Sequence, residues 1–289
     1  MNARRALASA VPAGRSSGVE AGPGFGADDF ERARALIHRK AGISLHSGKQ
    51  AMVYSRLSRR LRDLGLDSVR DYLDRLEALR GDAAEPEWQE FVNCLTTNLT
   101  AFFREEHHFP ILAAELAARA REPVRIWCNA ASTGEEPYSL AMTVIESLGP
   151  TANVGIVCTD IDTNVLATAE RGVYDAGAKG LDATRLKRHF LRGSGANAGK
   201  VIVKPELRRL VEFRICNLTD ATWSPGAPFD IVFCRNVMIY FDAPTQRAVL
   251  ERMHQVVRPG ALLFAGHSEN FNDSRDLFRL RSKTVYERA

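Results

Sequence analysis

Between residues 28 and 120 the apolar side chains recur every three or four positions, and after Pro123 short apolar runs alternate with helical ones. The first pattern predicts amphipathic helices. One starts at Asp28 or Asp29 as cap, buries Phe30, Ala33 and Ile37, and ends at Gly42. The next turns Val53, Leu57, Leu61 and Leu64 inward and Arg56, Arg59, Arg60 and Arg62 outward, stopping at Gly65. A third begins at Ser68 and carries Tyr72, Leu73, Leu76 and Leu79. Trp88, Phe91, Val92 and Leu95 mark a fourth, and a fifth runs from about Glu105 to Arg121.

The second pattern gives strands at Val124–Ala130, Val154–Ile161, Val211–Asn217, Phe229–Arg235 and Ala261–Gly266. Helices are expected at Glu135–Leu148, Thr163–Arg171 and Pro244–Val257. This alternation indicates an α/β fold with a parallel, doubly wound sheet. Leu277–Tyr286 reads as a closing strand or hairpin. The rhythm breaks between Asp175 and Leu210, where a glycine-bearing loop (Gly193, Gly195, Gly199) precedes alternating Val201 and Val203. That stretch predicts a small β insertion at about 190–212. The expected organisation is a disordered tail over 1–27, an all-α N-terminal domain over 28–121, and the sheet domain over 122–289.

Composition narrows the class without naming a function. The 289 residues are 45% hydrophobic and 26% charged, in the globular range. Net charge of +4 is too mild to argue for nucleic acid, and the arginine-rich helix face lacks interleaved aromatics that would stack bases. No stretch approaches the ~20 apolar residues of a membrane span. Five cysteines (94, 128, 158, 216, 234), without a CxxC pair, fit buried thiols in a reducing cytoplasm.

The candidate chemistry sits at strand ends, where doubly wound sheets bind ligands. The first strand ends in Asn129-Ala-Ala-Ser-Thr-Gly134-Glu135-Glu136, with small residues but no GxGxxG. Two acidic residues at that helix start repel phosphate and favour a cationic ligand. Asp160, at the end of the second strand, can accept hydrogen bonds from ribose hydroxyls, or cap a helix as Asp162 also can. Asn217-Leu218 and Asn236-Val237 end two further strands and bring amides. Upstream, Thr96, Thr97, Asn98, Thr100 and Arg104 crowd into nine residues. Either they meet a polar ligand, with Arg104 as an anion fork, or they cap helices. Carboxylates, amides and small residues without a phosphate loop suit S-adenosylmethionine. Two other constellations fail: His267-Ser268-Glu269 are too close in sequence for a hydrolase triad, and His107 and His108, as helix neighbours, should point apart, so no metal site is expected.

At these residues the chain resembles the chemotaxis receptor methyltransferases, the CheR-type glutamate O-methyltransferases. The matching blocks are Leu95–Glu105, Ala131–Ser139, Thr159–Asp162, Phe229–Phe241 and Gly266–Phe271, in the family's order. The resemblance implies a Rossmann-like, S-adenosylmethionine-binding domain behind a helical front domain. It implies cofactor contacts from Asn98, Thr100, Arg104, Glu135, Asp160, Asn217, Leu218, Asn236 and Val237, with S-adenosylhomocysteine as product. The implied substrate is a glutamate on the cytoplasmic coiled coil of a chemoreceptor, whose acidic surface Arg56, Arg59, Arg60 and Arg62 would face. A receptor C-terminal peptide is a further implied partner, at the β insertion. Arg104 and Tyr240 are the candidates for positioning the reacting groups. The expected protein is a cytoplasmic monomer. Its rivals are a methyltransferase on another substrate and a non-catalytic S-adenosylmethionine sensor or scaffold; the Asn/Asp-Pro-Pro-Tyr signature of amino-methyltransferases is absent where Arg235-Asn236-Val237-Met238 stand.

Overall fold

The helical period ahead of Pro123 is realised as α1 (Ala27–Ala41), α2 (Gln50–Leu64), α3 (Val69–Ala78), α4 (Ala84–Leu95) and α5 (His108–Ala118) in a computed structural model that describes residues 25–81, 84–223, 226 and 228–289. The expected tail thus falls almost wholly outside the described residues. Its last part is ordered: Phe25 is buried and its ring lies 5.6 Å from that of Tyr54. The cap of α1 is Gly26; Asp29 serves from inside the first turn, where its carboxylate accepts the Gly26 N–H at 3.1 Å and pairs with Arg70. Phe30, Leu36 and Ile37 of α1 join Val53, Leu57 and Leu61 of α2, Tyr72 and Leu76 of α3, and Phe91 and Val92 of α4 in one core. Although α5 follows these helices in sequence, its Phe109, Leu112 and Leu116 pack into the core of the sheet instead.

The strands are β1 (Val124–Cys128), β2 (Val154–Asp160), β3 (Val173–Asp175), β4 (Phe190–Arg192), β5 (Lys200–Val203), β6 (Val211–Ile215), β7 (Phe229–Cys234), β8 (Val257–Ala265), β9 (Phe278–Ser282) and β10 (Val285–Arg288). Between them lie α6 (Glu135–Leu148), α7 (Thr163–Arg171), α8 (Ala183–His189), α9 (Pro205–Arg208) and α10 (Ala243–Val256). The main sheet has the order β6-β2-β1-β7-β8-β10-β9. Its first five strands pair in parallel, as expected of a doubly wound sheet; β10 and β9 add an antiparallel hairpin. Apolar layers cover both faces, one centred on Ile126, Phe233 and Phe264, the other on Trp127, Val232 and Leu263.

A second sheet, β3-β5-β4, hangs from this frame. It recruits Val173–Asp175, upstream of the stretch 190–212 where alternation locates the insertion; three residues are too short a run to announce a strand. No helix among the described residues is long and apolar enough to cross a membrane.

Candidate functional site

The carboxyl ends of β2, β1 and β7 open into a cavity with about 970 Å³ of empty space, part of it continuous with solvent. Its floor is the sheet domain: Asn129, Ser132, Glu136, Asp160, Asn217, Leu218, Asn236 and Val237. Its roof is the front part of the chain: Ala41 at the end of α1 with Ile43 and Leu45 beyond it, and Leu95 at the end of α4 with Thr96 through Thr100 and Arg104 beyond it. Tyr240 and Phe241 close one side. Of the expected site residues, the cavity gathers Asn98, Thr100, Arg104, Asp160, Asn217, Leu218, Asn236, Val237 and Tyr240. Glu135 stands just outside the lining at the start of α6, accepting a hydrogen bond from Thr133 Oγ1 at 2.6 Å; the neighbouring Glu136 lines it.

The crowding of polar residues at 96–104 has a structural answer as well as a ligand-facing one. Thr96 Oγ1 and Asn98 Nδ2 donate to Asp162 Oδ2 at 2.6 and 2.7 Å, while Asp162 Oδ1 caps α7. Ser132 Oγ donates to the Asn98 carbonyl at 3.1 Å, and Arg104 Nη1 to the Leu99 carbonyl at 2.7 Å. The Asn98 amide is thus a strut across the cavity edge. Thr100 lines the cavity.

Asp160 accepts the Ser132 and Asp162 backbone N–H groups at 2.8 and 3.0 Å. Burial still dominates and pushes its carboxyl up to about 6. Asn217 is tied to the front domain by donating to the Lys40 carbonyl at 2.9 Å. Asn236 sits at φ 59°, in the left-handed region that asparagine tolerates.

The pattern missed a buried charge cluster below the mouth. Arg235 donates to Glu136 and to the Arg104 carbonyl and lies 3.5 Å from Glu105. Glu105, held by His267, Asn236 and Arg235, has its carboxyl pulled down to about 2 despite partial burial. Burial raises the Glu136 carboxyl. Glu269 accepts the backbone N–H groups of Gly266, Asn236, Val237 and Met238, which fixes the β7 loop. The signal for this cluster, acidic residues beside apolar runs, is indistinguishable in sequence from surface charge.

Two expectations are corrected here. Arg56 and Arg60 are not free to meet a partner. Arg56 donates to the Leu95 and Thr96 carbonyls and to Thr97 Oγ1, bracing the cavity roof. Arg60 forms a bidentate pair with Glu87, which also accepts from Tyr72. Arg59 and Arg62 are exposed and make no hydrogen bond or ion pair among the described residues. Helical periodicity finds the outward face but not which arginines bend back. The rings of His107 and His108 do not diverge: their centroids are 4.2 Å apart and both reach Thr284 Oγ1. His107 lies in the turn before α5, so helical geometry does not separate the pair, and Glu105, His107 and His108 bring their donor atoms within 4.8 Å. Arg235 already supplies the positive charge that Glu105 faces.

The donor set fits S-adenosylmethionine. Apolar walls at Ile43, Leu218, Val237 and Phe241 suit a purine, a carboxylate at a β-strand end suits a ribose diol, and among the described residues no basic loop awaits a phosphate.

Comparison with known proteins agrees in both halves. Residues 28–96 match the family model described as CheR methyltransferase, all-alpha domain, and residues 98–287 the one described as CheR methyltransferase, SAM binding domain. The chain is 54% identical over 267 residues to Chemotaxis protein methyltransferase 2 of Pseudomonas aeruginosa, covering 91% of this chain and 93% of the relative. It is 51% identical over 260 residues to the chemotaxis protein methyltransferase of Klebsiella aerogenes, covering 89% and 88%. The corresponding Escherichia coli protein is 49% identical over 259 residues, with 89% of each chain covered.

Proposed function

Because this chain belongs to the CheR methyltransferase family, with S-adenosylmethionine as its cofactor, we propose that it methylates glutamate side chains on the cytoplasmic helices of chemoreceptors, giving methyl esters. The cofactor supplies an electrophilic sulfonium methyl. The observation that carries the choice of acceptor is what the cavity lacks: its lining among the described residues holds no histidine or lysine. Cys216 is pushed up to about 11 by burial, Glu136 is tied to Arg235, and Asp160 is engaged by two backbone N–H groups. An amine or hydroxyl acceptor needs a base to take its proton. A glutamate, with pKa about 4.3, arrives ionised and needs none.

The roles then follow from place. Asp160 accepts the ribose hydroxyls; Asn217, Leu218, Asn236 and Val237 enclose the base and amino-acid ends. Asn98, Thr100 and Glu135 complete the cofactor site, the first chiefly as a strut. Arg104 and Tyr240, at the mouth, orient the carboxylate by charge and hydrogen bonding, so that positioning and exclusion of water carry most of the rate. Arg59 and Arg62 steer the acidic receptor surface toward that mouth. The receptor's C-terminal peptide adds as a strand beside β4, an edge strand of the second sheet. The protein works as a monomer in the cytoplasm.

The test is transfer of labelled methyl from S-adenosylmethionine to receptor cytoplasmic fragments, read as base-labile methanol. Wild-type label that is lost in Arg104→Ala supports the reading. Base-stable label would reassign the acceptor, and cofactor binding without any transfer would make the protein a sensor or scaffold.

A further inference from the structure

Among the described residues few large apolar side chains stand exposed, and two of them border the cavity, Leu99 in its lining and Ile239 beside the lining residue Tyr240. Leu99 is 79% exposed and Ile239 46%. Each sits beside a residue assigned to the reacting end: Arg104 binds the Leu99 carbonyl, and Ile239 directly precedes Tyr240. Their two segments meet where Arg235 and Asn236 grip Arg104 and Glu105.

Neither residue is exposed for want of order. The Asn98 and Leu99 carbonyls are both hydrogen-bonded, and Arg56 holds Leu95–Thr97 just upstream. Ile239 lies in a 3₁₀ turn, Met238–Tyr240, secured by Glu269 at the Met238 N–H and Gln246 at the Met238 carbonyl. Backbone pinned on both sides of the mouth holds two hydrophobic side chains in water. A partner that inserts a side chain into this cavity passes the two segments that border it, and apolar groups held there are placed to touch it.

We infer that Leu99 and Ile239 form an apolar clamp that grips the acceptor helix within a turn of its target glutamate. This rests on the glutamate reading proposed above. The occupant is set by continuity and charge. The clamp borders the cavity that holds the cofactor, and Arg56 joins this roof to the helix whose exposed Arg59 and Arg62 favour an acidic partner. On a helix, residues three and four positions from a glutamate share its face. The clamp therefore selects glutamates with alanine, leucine or similar residues at those positions and discriminates against fully charged faces.

The experiment measures binding of a receptor cytoplasmic coiled-coil fragment to the full protein saturated with S-adenosylhomocysteine. Burying such side chains predicts that Leu99→Ser and Ile239→Ser each weaken fragment binding about five- to tenfold. Ile239→Ser, outside the cavity lining, should leave S-adenosylhomocysteine affinity and melting temperature those of the wild type; Leu99 lines the cavity, so Leu99→Ser is read only on protein saturated with S-adenosylhomocysteine. Leu280→Ser, a leucine 55% exposed on edge strand β9, should change nothing. Replacing the apolar neighbours of the target glutamate by serine should weaken wild-type binding but add little to Leu99→Ser. Wild-type transfer and binding with no loss in either variant overturns the clamp alone. Loss of S-adenosylhomocysteine affinity by Ile239→Ser in step with fragment binding also overturns it, since that residue then serves the cofactor. Neither transfer nor binding by the wild type overturns both readings.

Discussion

Asp160 offers a test in which two measurable quantities move in opposite directions with pH. Its carboxyl is raised from 3.8 to about 6, first by desolvation, with two backbone N–H groups partly offsetting. In the protein without cofactor, a raised carboxyl favours the protonated form. Its contribution to stability is therefore full below about pH 4 and is lost as pH rises through 6. A shift of about two units corresponds to about 3 kcal/mol across that window. Ribose hydroxyls donating to Asp160 favour the ionised form instead. If only that form binds well, S-adenosylhomocysteine affinity rises about tenfold between pH 5 and 7 and levels off above. Calorimetric titration across this range, beside urea unfolding of the cofactor-free protein, reads both curves. Asp160→Asn should remove the Asp160 component from both curves and bind about 10–100-fold more weakly at pH 7, through loss of a charge-assisted hydrogen bond. A slope remaining in the variant belongs to the other shifted groups, Glu136 and Glu269 among the carboxyls and His108 among the bases. Identical pH slopes in wild type and variant would refute the assignment of Asp160 to the cofactor.

The remaining predictions concern the scaffold around that site. Arg56→Ala releases two carbonyls and Thr97 and should cost about 1–2 kcal/mol in urea unfolding while weakening cofactor binding; Arg59→Ala with Arg62→Ala should leave both unchanged and raise only the KM for receptor fragments, the more so at low salt. Gly134→Ala should destabilise by at least about 2 kcal/mol, because the turn sits at φ 97° and an added Cβ would lie 2.9 Å from Ala169 Cβ; a soluble variant of wild-type stability would contradict this. His108 is fully buried and pushed down to about 3, chiefly by desolvation, so the native state resists its protonation. Stability should fall by about 1.4 kcal/mol per pH unit below 6.5 through this residue, a slope that His108→Gln removes in acid-unfolding curves.

The fold was legible because its two periods are clean. The 3.6-residue rhythm of α1 to α4 and the apolar runs of β1, β2 and β7 leave little choice, and small residues at strand ends locate the crevice. What stayed hidden was who bonds to whom. Arg56 and Arg60 share an outward-looking helix face with Arg59 and Arg62, yet a turn of side chain commits the first two to the Leu95–Thr97 carbonyls and Glu87. Asn98 carries a ligand-like pattern and spends its amide on Asp162. Arg235 and Glu269, which hold the β7 loop and the Arg104 carbonyl, are buried by contacts from segments more than thirty residues away. No local window records such distances. The antiparallel place of β10 is equally non-local, because a terminal apolar run does not state which edge it joins.

The sheet order carries a consequence for synthesis. Emergence of β1, α6 and β2 from the ribosome yields half a floor, and the roof at 41–45 and 95–104 has by then been made without anything to cover. The far wall needs Asn236 to Tyr240, whose conformation depends on Glu269, and the turn at His107–His108 waits for Thr284 beyond that. A nascent chain therefore has no complete cofactor cavity until the residues through Thr284 are available. Chains arrested near residue 245 should fail to retain S-adenosylhomocysteine, whereas chains that include Thr284 should capture it, so that metabolite supply acts on this protein only once the far wall of the cavity has been made.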